Sequence, residues 1–164
     1  MINYSKQQRQ HEIENKAMQR LADYCKQHNM SFIDTHIGTA PYDCIIDNIY
    51  YYDVKATDKR KLSYKRTLPD GYTYDPIAKH TRVPYLIIEP NGKCYKITKQ
   101  ELRDYIDNLK QQGRLEQLTS YYNGDGNEQT CVDISYFIND EHLLFDISNN
   151  KDVWQAFISR AGTI

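Results

Sequence analysis

No apolar run in this sequence approaches the ~18 residues of a membrane-spanning helix, and the polar start MINYSKQQRQHEIENK lacks the hydrophobic stretch of a secretory signal. The expectation is a soluble, cytoplasmic protein with no membrane partner. Cysteine is sparse: Cys25, Cys44, Cys94 and Cys131 are far apart, form no C-x-x-C motif and sit in apolar stretches. They read as reduced core residues. The five histidines are equally scattered, which argues against a structural zinc site. An excess of charge is missing too, since the formal net charge of −1 is not the global signature of a nucleic-acid binder. No repeat or low-complexity segment appears. With 164 residues and 40% apolar content, the chain can bury one core of ordinary size but hardly two, so residues 1–164 read as one domain.

Local patterning predicts a mixed order of elements. Ala17, Met18, Leu21, Ala22 and Cys25 recur at helical spacing and predict a helix over 6–28. Glu14 falls on the centre line of that apolar stripe, while Glu12 lies on the polar face. Either Glu14 points toward a core, where a carboxylate needs a partner, or it is a solvated first-turn residue. Short strands follow over 31–37, 42–46 and 50–57. Residues 58–75 show no sustained period, contain Pro69-Asp70-Gly71 and read as a long loop. Asp75-Pro76 can open a short helix that Pro84 ends, and VPYLIIEPNGKCYKI reads as a hairpin about Pro90-Asn91-Gly92. Thr98 and Glu101 form a capping box for a helix through Gln112, with Gly113 as its stop. TCVDISYFI and HLLFDIS suggest another strand pair, and KDVWQAFISR a terminal helix. The order implies an α/β or mixed α+β domain, helices packed on a central sheet.

The densest chemistry lies in PYDCIIDNIYYYDVKAT, residues 41–57. Strand side chains alternate, so Asp53 and Lys55 emerge on one face and Val54 on the other. Asp47-Asn48 marks the turn. A two-residue loop would leave Asp43 and Asp53 on opposite faces, whereas a three-residue loop or a bulge would set them opposite each other, Cβ atoms roughly 4.5–5.5 Å apart. Facing carboxylates repel, so the second arrangement makes sense mainly with a cation. The other face would carry Cys44, Ile46, Tyr50, Tyr52 and Val54, suited to packing on a helix. Immediately afterwards, KATDKRKLSYKR at 55–66 holds six Lys or Arg against one Asp. Lys59, Arg60, Lys61, Lys65 and Arg66 are candidates for contacting a phosphate backbone; the alternative is a solvated charged loop.

A helical Glu, an Asp at the start of one strand and Asp-x-Lys on the next resemble the PD-(D/E)XK nuclease superfamily, which includes restriction endonucleases and Holliday junction resolvases. The likeness covers residues 6–57. It implies a restriction endonuclease-like core, a central mixed sheet flanked by helices, and a Mg²⁺- or Mn²⁺-dependent endonuclease acting on DNA, with RNA left open. By the same resemblance Asp43, Asp53 and Glu14 are metal ligands, and Lys55 completes the catalytic set. Two departures stand out: Pro41-Tyr42-Asp43 carries a residue inserted into the Pro-Asp pair, and a basic segment follows Lys55 where the family packs a helix. A homodimer is implied if both strands of a duplex are cut. Two other classes compete, a catalytically silent nuclease-fold module that binds nucleic acid or protein, and an unrelated protein using its fifteen tyrosines as an interaction face.

Overall fold

The computed structural model describes residues 6–36, 40–57, 59–124 and 127–148. The expected terminal helix KDVWQAFISR lies outside the described residues. Helix α1 spans Lys6–Gln27 and buries Ala17, Met18, Leu21 and Cys25. It ends where Asn29 turns left-handed (φ 58°): the Met30 amide donates to the Cys25 carbonyl at 2.8 Å and the Asn29 amide to that of Lys26. These two bonds satisfy carbonyls the last turn would leave open.

Two sheets follow. The six-stranded one has the order β1 (Phe32–Asp34), β2 (Cys44–Ile46), β3 (Tyr50–Ala56), β6 (Tyr85–Ile88), β7 (Lys93–Ile97) and β10 (Leu143–Asp146). Only the central β3–β6 pair is parallel, so the sheet is mixed. Its centre is buried on both sides, which is why YLII of β6 is continuously apolar. Leu86 and Ile88 join the α1 layer; Tyr85 and Ile87 join a second layer under α2 (Lys99–Gln111). Leu102, Ile106 and Leu109 anchor α2, the Thr98 hydroxyl caps it by accepting from the Glu101 amide at 3.0 Å, and Gly113 follows with φ 68°. The four cysteines are buried and free.

The four-stranded sheet, β5 (Thr73–Tyr74), β4 (Lys61–Thr67), β9 (Asn127–Asp133) and β8 (Thr119–Gly124), corrects three expectations. Residues 58–75 are not a long loop. KLSYKRT forms β4, whose two-residue alternation is hidden by a register shift between Ser63 and Lys65, and Pro69-Asp70-Gly71 is the tight turn into β5. Secondly, β9 does not pair with β10: it lies between β4 and β8, while β10 borders β7 in the other sheet. Periodicity identifies strands without naming their neighbours. Thirdly, the helix begun by Asp75 is a single 3₁₀ turn, Pro76–Ala78, ending well before Pro84. Among the described residues the fold is a mixed α+β arrangement of two α-helices and two sheets, and no helix is long and apolar enough to cross a membrane.

Candidate active site

The β2–β3 hairpin fixes the geometry of the acids. Ile46 pairs with Tyr50 and Cys44 with Tyr52, so residues 47–49 form a three-residue loop. Asp47 (φ 54°) and Asn48 (φ 61°) take the left-handed conformation that Asp and Asn tolerate better than most residues. Continued by one step, this register sets Asp43 against Asp53, the arrangement that the odd loop length was expected to produce. The opposite face of the hairpin behaves as anticipated, with Cys44, Ile46, Tyr52 and Val54 buried against α1; Tyr50 is the exception, being half exposed.

Asp43 sits where the β2–β3 ladder stops. Its amide donates to the Tyr52 carbonyl at 2.8 Å, and its carboxylate accepts from the Val54 amide at 2.7 Å, taking the place a backbone carbonyl would fill had β2 run further. Burial pushes this carboxyl up to about 6; the charges of Asp53 and, more weakly, Glu14 add to the rise, and the Val54 amide and Lys55 oppose it. Glu14, rather than Glu12, is thus the α1 acid whose charge reaches Asp43. An anchor holds that turn of α1: His36 meets Asn15 Oδ1 through Nε2 at 2.8 Å and the Asp34 carboxylate through Nδ1.

Asp53 turns away from α1. Its amide donates to the Pro84 carbonyl at 2.9 Å, and its two carboxylate oxygens meet different lysines, Lys55 at 3.4 Å and Lys99 at 3.4 Å. Lys55 is 39% exposed and Lys99 only 2%. Both ammoniums lie over the Tyr85 ring, at 5.8 and 5.1 Å from its centroid. Lys99 also donates to the carbonyls of Lys79 (2.9 Å) and His80 (3.3 Å). Burial pulls its ammonium below the ordinary lysine value, and Asp53 counters that pull. Sequence reasoning missed Lys99. The usable signal was electrostatic: a lysine directly after the N-cap sits at the positive end of the helix dipole, an unfavourable place without a specific acceptor.

The basic candidates separate into two kinds. Lys59 and Lys65 are exposed. Arg60 instead makes a two-pronged bond to the nearly buried Glu89 (2.6 and 2.8 Å), and Lys61 donates to Ser120 and Tyr122. Arg66 is half-buried opposite Tyr74, and its buried Nε has no hydrogen-bond partner among the described residues.

Carboxylate oxygens are hard donors suited to Mg²⁺ or Mn²⁺, and Mg²⁺ sites commonly use one or two carboxylates with water and phosphate oxygens completing the shell. Asp43 and Asp53 fit that pattern: burial is the main cause that raises the Asp43 carboxyl, the Asp53 charge adds to it, and a cation between the two would offset both. Glu14 would add charge more than a ready ligand: among the described residues no three His, Cys, Asp or Glu side chains are gathered into a preformed metal site. No family model, curated protein or solved structure matches the chain.

Proposed function

We propose that this chain is a metal-dependent nuclease with a restriction endonuclease-like core, hydrolysing DNA phosphodiester bonds at Asp43, Asp53 and Lys55. One observation carries the reading: a half-buried acid with a raised carboxyl, Asp43, at the end of a strand whose register leads to Asp53 and Lys55. Mg²⁺ or Mn²⁺, when bound, would supply an activated water and offset charge on the phosphate. Asp43 and Asp53 would hold the ion, and Glu14 would strengthen its attraction from the α1 side. The part-exposed Lys55 ammonium can orient the attacking water and stabilise negative charge growing on the phosphoryl oxygens. The buried Lys99 keeps Asp53 fixed from behind, with its own donors occupied by two backbone carbonyls. Lys59 and Lys65 are the best placed of the basic residues to meet the nucleic-acid backbone.

A second reading, a nuclease-fold module that binds nucleic acid without cutting it, is favoured by the two lysines already flanking Asp53, which partly satisfy its charge without a metal. Plasmid, linear, single-stranded and branched DNA incubated with Mg²⁺, Mn²⁺ or EDTA separates the two. Cleavage that requires the metal supports the enzyme; metal-independent binding without cleavage supports the module.

A further inference from the structure

The chain of contacts leaving Asp53 ends at an exposed aromatic surface. The Lys99 ammonium that touches Asp53 also holds the Lys79 carbonyl at 2.9 Å, and the Lys79 ammonium lies 4.2 Å from the centroid of the Tyr74 ring. Tyr74 in turn lies alongside Tyr72, centroids 6.0 Å apart and planes inclined by 26°. Tyr72 is 59% exposed, so one face of this stacked pair is open to solvent. Tyr72 immediately precedes β5 and Tyr74 ends it, their rings are brought together by this stacking contact, and β5 is an edge strand of its sheet. Opposite Tyr74 stands Arg66, with its neighbour Lys65 exposed. Of the acids that flank the pair in sequence, Asp70 accepts from the Tyr72 amide within the turn, and Asp75 caps the 3₁₀ turn and pairs with Arg103; Glu128 stands across Thr67 from Thr73.

We infer that Tyr72, Tyr74 and Lys79 form a ledge on which unpaired nucleobases of the substrate stack, beside the Asp43–Asp53–Lys55 site. The inference rests on the nuclease reading of that site and names its substrate class: nucleic acid with a single-stranded segment, free or at a fork. Two physical facts favour this occupant. Every base has a π face, so exposed aromatic rings bind single strands without regard to sequence, and neighbouring cations meet the backbone that runs between the bases. In a duplex the bases already stack on each other and present no free face to the ledge. Lys99 links the two, since one buried ammonium meets both Asp53 and the carbonyls of Lys79 and His80, and the Lys79 ammonium reaches the Tyr74 ring.

The test measures binding in EDTA, by anisotropy of labelled oligo-dT, oligo-rU, a blunt duplex and a fork, to the full chain and to Tyr72→Ala and Tyr72→Trp. Tyr72 is exposed, so neither change should unfold the protein, and circular dichroism checks this. The expected result is tighter binding of the fork and single strands than of the duplex. Tyr72→Ala should weaken single-strand binding roughly tenfold while changing duplex binding little, and Tyr72→Trp should restore it. The dT and rU arms decide between DNA and RNA as the source of the strand. Equal single-strand binding by Tyr72→Ala and parent, or an equal loss for duplex and single strand, overturns the ledge. So does a concentration-dependent dimer that Tyr72→Ala abolishes in the absence of nucleic-acid binding, which would assign the surface to a second copy. Because no metal is used, a parent that binds single strands through Tyr72 yet cuts nothing with Mn²⁺ refutes the nuclease reading and leaves the ledge standing.

Discussion

On the α1 side of β3, Tyr52, Val54 and Ala56 are buried with Met18, Leu21 and Cys44, whereas the opposite side presents Asp53 and Lys55 to a buried lysine and a part-open surface. One strand thus serves a dry layer and a charged one. That contrast shows where chemistry can be located in such a sheet. A dry layer tolerates no unpaired charge, so the acid that communicates with both sides, Asp43, lies in the sheet plane at the ladder's end, where β2 has not yet begun. At β3, then, the α1 side should contribute to stability and the Asp53–Lys55 side to function, while the layer under α2 supplies a second apolar core further along the sheet.

The largest effect should come from the dry side. Leu21→Ala should cost roughly 2–5 kcal/mol of unfolding free energy in denaturant titration, with metal affinity per folded molecule unchanged. A variant that unfolds no more easily would deny the α1 layer its structural role. On the charged side, Lys99→Met keeps volume but removes the contact with Asp53 and the bonds to two carbonyls. A loss of about 1–3 kcal/mol is expected, and a stabilised Lys99→Met would mean that burying the ammonium costs more than its partners return.

Asp43→Asn sets the two layers further apart because its sign is opposite. The carboxyl titrates near 6 in the folded protein against 3.8 as its ordinary value. The native state therefore holds more protons than the unfolded chain between those values, so parent stability should fall as pH rises from about 4 to 6 and stay lowered above. Asp43→Asn keeps an acceptor for the Val54 amide. At pH 7 it should be more stable than the parent by up to about 2 kcal/mol, since each tenfold change in proton affinity is worth ~1.4 kcal/mol and partial solvation of the carboxyl screens some of it. Mn²⁺ should raise the parent's melting temperature and raise that of Asp43→Asn much less. A parent whose stability is flat from pH 4 to 6, or equal metal effects in both proteins, would count against the strained acid. Smallest of all, Thr98→Ala should cost about 1 kcal/mol through the α2 cap, with a secondary loosening of the adjacent Lys99. A calorimetric melting temperature unchanged by this variant would show that the cap contributes nothing.

Much of this was legible in the residues. Asp47-Asn48 marks the turn but leaves its length open, and the three-residue loop that brings Asp43 toward Asp53 is fixed by the strand register; the apolar alternation of Cys44, Ile46, Tyr52 and Val54 marks the face under α1. Thr98 and Gly113 bounded α2 correctly. What was not legible depended on distant partners. A bulge after Ser63 scrambled the period of β4, so a strand looked like a basic loop, and two of its apparent DNA-binding cations proved to be engaged, Arg60 with Glu89 and Lys61 with Ser120 and Tyr122. Lys99 reaches Asp53 only because β6, β7 and the start of α2 fold back beside β3, which local spacing cannot encode.

Whether Asp53 and Lys55 form a metal-dependent phosphodiesterase site is decided by comparing parent, Asp53→Asn and Lys55→Ala, purified identically, for DNA cleavage with Mg²⁺ or Mn²⁺ and for DNA binding in EDTA. Metal-dependent cleavage by the parent is expected, with its loss in both variants. DNA binding should persist in Asp53→Asn, equal or tighter because a negative charge near the phosphate is gone. Cleavage by both variants at the parent's rate would refute the site, placing the activity elsewhere or in a contaminant.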